Sequence, residues 1–172
     1  MIRQAAISLI TRPGRNYVLL GLNNQGRHKG RIIPPSETVK PGETPLQAAY
    51  RGIKEEVHGV SVGKLRPVGV FQIFFEGTPE HNIELHVFRG TIIRGTPRAC
   101  RKEFSWLKFY RSEKAPVDKM WPDARLWWPR LQALGPTDAV LGLRLTLPAE
   151  PRFVVSRINP PSSEEVAFAK AV

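Results

Sequence analysis

Apolar residues recur along this chain with two different periods. Between Pro45 and Val57, Leu46, Ala49, Tyr50, Ile53 and Val57 fall at i, i+3, i+4, i+7 and i+11. That spacing predicts a helix with one side on a core. Thr44-Pro45-Leu46-Gln47 is a capping box with Pro at the first helical position, so Thr44 is the expected N-cap and Gly59 the expected close. At about 100° per residue, Gly52, Glu55 and Glu56 point roughly the other way. The plain reading of carboxylates in such places is a solvated helix face.

Elsewhere the period is that of strands. Ala5–Ile10 and Tyr17–Leu22 flank a Pro13-Gly14 turn, and Asn23–Gly30 is a polar loop carrying Arg27-His28-Lys29. Val68–Glu76 and Glu84–Ile93 are apolar, β-branched runs around Gly77-Thr78-Pro79, and Phe104–Tyr110 is a further strand. Pro122–Leu134 reads as a short helix that Pro129 must kink or restart. Val140–Leu147 and Phe153–Ile158 read as a closing hairpin around Pro148, and residues 159–172 as a tail. There is no internal repeat.

The length of 172 residues suits one domain, residues 1–158, followed by that tail. Composition is ordinary except in charge: 26 Lys+Arg against 15 Asp+Glu give +11, a balance that suits contact with a polyanion. Cys100 is the only cysteine, so no internal disulfide can form and a reducing intracellular compartment is expected. Cytoplasm, nucleus and mitochondrion all stay open. Residues 1–36 carry basic charges and no acid, as in an organellar transit segment, but they read as strands and are assigned to the fold. No apolar run approaches the length of a membrane span, so no membrane partner is expected.

The segment Pro34–Val60 resembles the Nudix box, G-x5-E-x7-R-E-U-x-E-E-x-G-U with U aliphatic. Gly42-Glu43, Arg51, Ile53, Glu55 and Glu56 stand at matching positions. Glu37 replaces the opening Gly, Gly52 replaces the Glu after the Arg, and the ending is one residue longer. Leu85-His86-Val87-Phe88, Arg94-Gly95-Thr96-Pro97, Trp106, the Asp118–Asp123 run DKMWPD and Trp127-Trp128-Pro129 resemble the mammalian-type oxidised purine nucleoside triphosphate diphosphatases. The likeness covers about residues 5–158. It implies an α/β fold: a Nudix α/β/α sandwich on a mixed β-sheet, with a C-terminal β-hairpin.

The resemblance also implies a chemistry. Clustered carboxylates hold Mg²⁺ or Mn²⁺, which neutralises the phosphates and activates the attacking water. Carried over residue by residue, Glu55 and Glu56 are the expected catalytic and metal-holding groups, and Glu43 braces the loop through Arg51. Glu37 and Glu103 are further candidates as metal ligands. At Gly52 one partner of the family's i, i+4 carboxylate pair is absent, and Gly52→Glu is expected to restore it with Glu56. Trp121 and Asp123 are the expected base-binding residues. Ile33 and Ala124 stand where the family carries polar groups that read the purine edge.

Two functions follow. One is an active Mg²⁺- or Mn²⁺-dependent nucleoside polyphosphate diphosphatase acting on 8-oxo-dGTP-like substrates. The other, which the lost box residues favour, is a Nudix-fold module with weak or lost hydrolysis. It would need no metal and would serve as a nucleotide- or RNA-binding or structural subunit, within a larger ribonucleoprotein assembly for instance. From Arg94 to Lys114 there are seven Lys/Arg and only Glu103 and Glu113 as acids. Arg98, Arg101 and Lys102 are the expected nucleic-acid contacts, with Arg27, Lys29 and Arg31 as a second patch.

Overall fold

A computed structural model describes residues 2–26, 29–133, 140–147 and 154–157. The expected tail, Pro148 and Arg27 lie outside those residues. Among the described residues ten strands and two α-helices follow one another: β1 (Arg3–Arg12), β2 (Arg15–Asn23), β3 (Ile32–Ile33), β4 (Ser36–Thr38), α1 (Pro45–Glu56), β5 (Val57–Val62), β6 (Arg66–Phe75), β7 (Ile83–Ala99), β8 (Phe104–Arg111), α2 (Ala124–Ala133), β9 (Leu141–Leu147) and β10 (Val154–Arg157). The sheet is mixed, in the order β10-β9-β6-β7-β1-β2-β3, with β4 on β1, β5 on β7 and β8 on β2. The pairs β1–β7 and β6–β9 are parallel. The expected closing hairpin is present as the antiparallel pair β9–β10.

Strand alternation gives this sheet two apolar faces, and each is covered by one helix. Ala6, Ile10, Leu19, Phe88 and Ile92 meet Ala48, Ala49, Ile53 and Val57 of the α1 layer. Ile7, Leu9, Leu20, Phe71, Ile73 and Val87 meet Trp127, Trp128 and Leu131 of α2 on the other face. Trp127 is fully buried, 5.3 Å from the Phe71 ring centroid and 5.7 Å from that of Trp128. Burying a side chain such as Ile53 contributes roughly 1.5–3 kcal/mol. The small Ala48 and Ala49 let α1 lie close on β1.

Three expectations need correction. Gly59 does not close α1: the helix ends at Glu56, Val57 turns extended, and Gly59 lies inside β5 with φ +78°. Val57 is buried, and β5 has the second half of β7 to pair with, so pairing wins over another turn of helix. The extra box residue is thus the start of a strand. Next, the acidic side of α1 is solvated only in part: Glu55 is exposed but Gly52 and Glu56 are buried, while Tyr50, expected on the apolar side, is 42% exposed. Finally, α2 runs unbroken through Pro129. Pro129 and Arg125 are both exposed, so the carbonyl that loses its amide partner can turn to water.

Candidate active site

The capping box is formed as expected: Thr44 Oγ1 accepts from the Gln47 amide at 3.2 Å, and Gln47 Oε1 accepts from the Thr44 amide at 2.8 Å. It fixes where α1 begins and therefore which way Arg51 and Glu55 project. Arg51 is the hub. Its Nε and Nη2 donate to the two oxygens of Glu43 at 2.9 and 3.0 Å, and Nη2 also donates to the Thr38 carbonyl at 2.9 Å. Its Nη1 lies 2.9 Å from Glu37 Oε2 and 3.5 Å from Glu55 Oε2. The Arg51 fork and the Lys40 amide hold the Glu43 carboxyl down at about 2. Arg51 is in turn pushed up, first by Glu43. The bracing of the loop by Glu43 and Arg51 is therefore present in geometry.

Glu56 is only 6% exposed, and its Oε2 accepts from the Ser36 amide at 3.0 Å. Burial pushes its carboxyl up to about 9; the Ser36 amide opposes this, while Glu37, Glu103 and Glu55 add to it. The Glu56 carbonyl accepts from the Cys100 amide at 3.1 Å and the Cys100 carbonyl from the Glu103 amide at 2.9 Å, which tethers the loop carrying Glu103 to the end of α1. Glu37, Glu55 and Glu56 thus lie along the last turns of α1, and the loop carrying Glu103 is tethered beside them with its carboxylate accepting from Gln25 Nε2 at 3.2 Å. Sequence reasoning missed the Ser36 amide, because a backbone donor leaves no mark in residue identity.

Gly52 carries an unexpected neighbour. A Cβ built on it would stand 2.8 Å from Glu37 Cγ. Gly52→Glu therefore does not simply restore a carboxylate pair, because the place is filled.

On the other sheet face a cavity of about 320 Å³ opens between β4, β1, β6 and the loop before α2. Trp121, Pro122 and Asp123 line it, opposite Ser36, Glu37 and Thr38. Asp123 is buried, and its Oδ2 accepts from Trp127 Nε1 at 2.7 Å. Burial raises its carboxyl, and the Trp127 indole opposes that. Trp121 and Asp123 are thus brought together as expected. Ile33 is 1% exposed and does not line the cavity. Arg31 is half-buried and lines the cavity, its Nη1 donating to the Met120 carbonyl at 2.7 Å. Lys29 is exposed. Arg98, Arg101 and Lys102 are exposed, Arg98 on β7 opposite His58 and the other two in the turn before β8.

A mixed sheet between two helices, with a capped helix bearing the carboxylates and an arginine clamp, defines a Nudix-type phosphohydrolase scaffold. Residues 1–131 match the family model of the NUDIX domain, and the chain belongs to the Nudix family. It is 33% identical over 129 residues to the mouse protein named oxidized purine nucleoside triphosphate hydrolase, covering 75% of this chain and 79% of that one. The zebrafish protein of the same name is 33% identical over 121 residues, covering 70% and 74%. The fold is also that of the MutT protein from Bacillus halodurans, with TM-score 0.66, 16% identity, and coverage of 89% of this chain and 95% of that one. A NUDIX hydrolase from Nitrosomonas europaea has TM-score 0.63 at 16% identity, covering 84% and 79%.

Nudix hydrolases generally use a divalent metal. Among the described residues no three acidic, imidazole or thiol groups stand close enough to enclose an ion by themselves. The donor chemistry still fits a hard cation, since every candidate ligand is a carboxylate. Mg²⁺ keeps several waters and takes only one or two protein carboxylates beside substrate phosphates. Glu56 and Glu37 are the best placed to hold it.

Proposed function

We propose that this protein is a divalent-metal-dependent nucleoside polyphosphate hydrolase, acting on triphosphates of purine or oxidised purine type. The observation that carries this reading is the position of β4. Its residues pair with β1 as Ser36↔Ile7, Glu37↔Ala6 and Thr38↔Ala5. By strand alternation, Ser36 and Thr38 face the Trp121–Asp123 cavity, and Glu37 faces α1. A nucleotide whose base enters the cavity can pass its phosphates around this short strand to the carboxylates.

Each group then has a role that its surroundings support. Trp121 offers a face on which a base can stack. Asp123, held by Trp127, lines the cavity with a carboxyl that can hydrogen-bond the polar edge of the base. Arg51 fixes Glu37 and Glu55 in position, and Glu56 waits nearly dry behind the Ser36 amide. When bound, Mg²⁺ or Mn²⁺ would supply charge neutralisation of the phosphates and a more acidic water. The test is phosphate or pyrophosphate release from a panel of nucleoside triphosphates and diphosphates with Mg²⁺ or Mn²⁺. Turnover should appear for a purine triphosphate and vanish in Glu56→Gln. No turnover on any member would refute the reading.

A second reading keeps one observation of its own. Arg98, Arg101 and Lys102 are exposed near the end of β7 and in the next turn, on a chain of net charge +11. They suit an extended polyanion such as single-stranded RNA, bound by a protein that hydrolyses nothing. Affinity would then fall log-linearly with salt, by a slope of roughly 0.7 per phosphate neutralised. Charge reversal at the three residues would flatten that slope. The hydrolase reading is preferred because the room left by Gly52 is filled by the side-chain stem of another acidic residue, Glu37.

A further inference from the structure

We propose that Glu37 supplies the metal-holding carboxylate at the place α1 leaves open at Gly52, so that the ligand set is drawn from β4 as well as from the helix. This rests on the metal-dependent hydrolase reading above.

Gly52 has ordinary helical backbone angles, being absent from the positive-φ glycines. Its glycine meets no conformational demand and weakens the helix relative to Ala. What it provides is space. A Cβ there would lie 2.8 Å from Glu37 Cγ and 3.4 Å from Glu37 Cβ, closer than packed side chains tolerate. A side chain at 52 and the present Glu37 side chain therefore exclude one another. Neither residue alone is out of place; each is the condition of the other.

The direction of Glu37 is also fixed. Glu37 pairs with Ala6 in β1, and Ala6 packs in the layer with Ala48 and Ala49 of α1. Arg51 Nη1 bonds its carboxylate at 2.9 Å and reaches Glu55 at 3.5 Å, which puts Glu37 and Glu55 on one guanidinium edge. The adjoining residue, Ser36, holds Glu56 by its amide. One short strand thus carries Glu37 and, through its neighbour Ser36, holds Glu56. Arg51 does not depend on Glu37 for its position, since the Glu43 fork and the Thr38 carbonyl already hold it. The Glu37 carboxylate can therefore change partner without undoing the hub.

The test is Mn²⁺ binding to the nucleotide-free full chain, read as loss of the free-ion electron paramagnetic resonance signal. It is run on wild type, Glu37→Gln, Gly52→Glu and the double variant Glu37→Gly/Gly52→Glu. Circular dichroism confirms that each is folded. Glu37→Gln should weaken Mn²⁺ at least roughly tenfold. Gly52→Glu alone should not strengthen it, because the two side chains compete for one space. The double variant should return to near the wild-type affinity. Wild-type Mn²⁺ affinity in Glu37→Gln, tighter binding in Gly52→Glu alone, or no Mn²⁺ binding by wild type would each overturn the inference. Nucleotide hydrolysis, measured on the same proteins, separates the two claims. Wild-type turnover with Mn²⁺ affinity indifferent to Glu37 sinks this inference and leaves the enzyme reading standing. Glu37-dependent Mn²⁺ binding without turnover does the reverse.

Discussion

Replacing Glu56 by Gln should make the metal-free protein more stable while removing its activity. The Glu56 carboxyl titrates near 9 in the folded chain against 4.5 ordinarily, mainly because it is buried. A carboxyl raised in this way costs nothing below 4.5, and the cost grows as pH climbs from 4.5 to 9. At pH 7 the ceiling is about 3 kcal/mol, at about 1.4 kcal/mol per pH step above the ordinary value. Gln keeps an oxygen for the Ser36 amide but brings an –NH₂ that must also be satisfied, at a cost of about 1–2 kcal/mol. The net expectation is about 1–2 kcal/mol of stabilisation at pH 7. Urea denaturation in a chelator, run from pH 5 to 9, measures it. The two stability curves should cross between about pH 5 and 6 and diverge as pH rises, the variant then being the more stable. A variant that is less stable throughout, or a difference that does not change with pH, would refute the burial argument.

Three other outcomes are expected. Glu84 is held down at about 2, first by His86 and then by Gln72 and Gln4, whose nitrogens lie 2.9–3.0 Å away. Its contribution is full above 4.5 and is lost as pH falls from there towards 2. Glu84→Gln should therefore flatten the acid limb of a stability–pH curve by about 1 kcal/mol, allowing for screening by solvent. Trp127→Phe leaves the buried Asp123 carboxyl without its indole donor and should cost at least about 1–3 kcal/mol by urea denaturation. Trp121→Ala should weaken nucleotide binding in isothermal titration by about 1–3 kcal/mol if a base stacks on the indole, and should change stability much less.

Much of the fold was legible because periodicity and caps are local. The capping box at Thr44 and Gln47, the alternation in β1 and β2, and the apolar runs of β6 and β7 each carry their own pattern. Helix α1 was overextended for a non-local reason: Val57 leaves the helix because β7 offers it a partner more than thirty residues later in the chain. The short strands β3 and β4 were invisible, since two or three residues contain no period. The site was legible in its residues and not in their relation. Glu37 and Gly52 look like two independent losses in one dimension. In space, one side chain occupies the room that the other gave up. The place of Arg31 in the cavity wall was hidden for a similar reason, because charge in a sequence says nothing of which way a side chain turns.

The most direct measurement of the central claim is anomalous diffraction from crystals grown with Mn²⁺ and a non-hydrolysable purine nucleoside triphosphate analogue. A Mn²⁺ peak is expected within coordination distance of Glu37 and Glu56, with the base against Trp121 in the cavity and the phosphates passing β4. A Mn²⁺ peak that leaves Glu37 bound only to Arg51, or a nucleotide bound away from both, would contradict it.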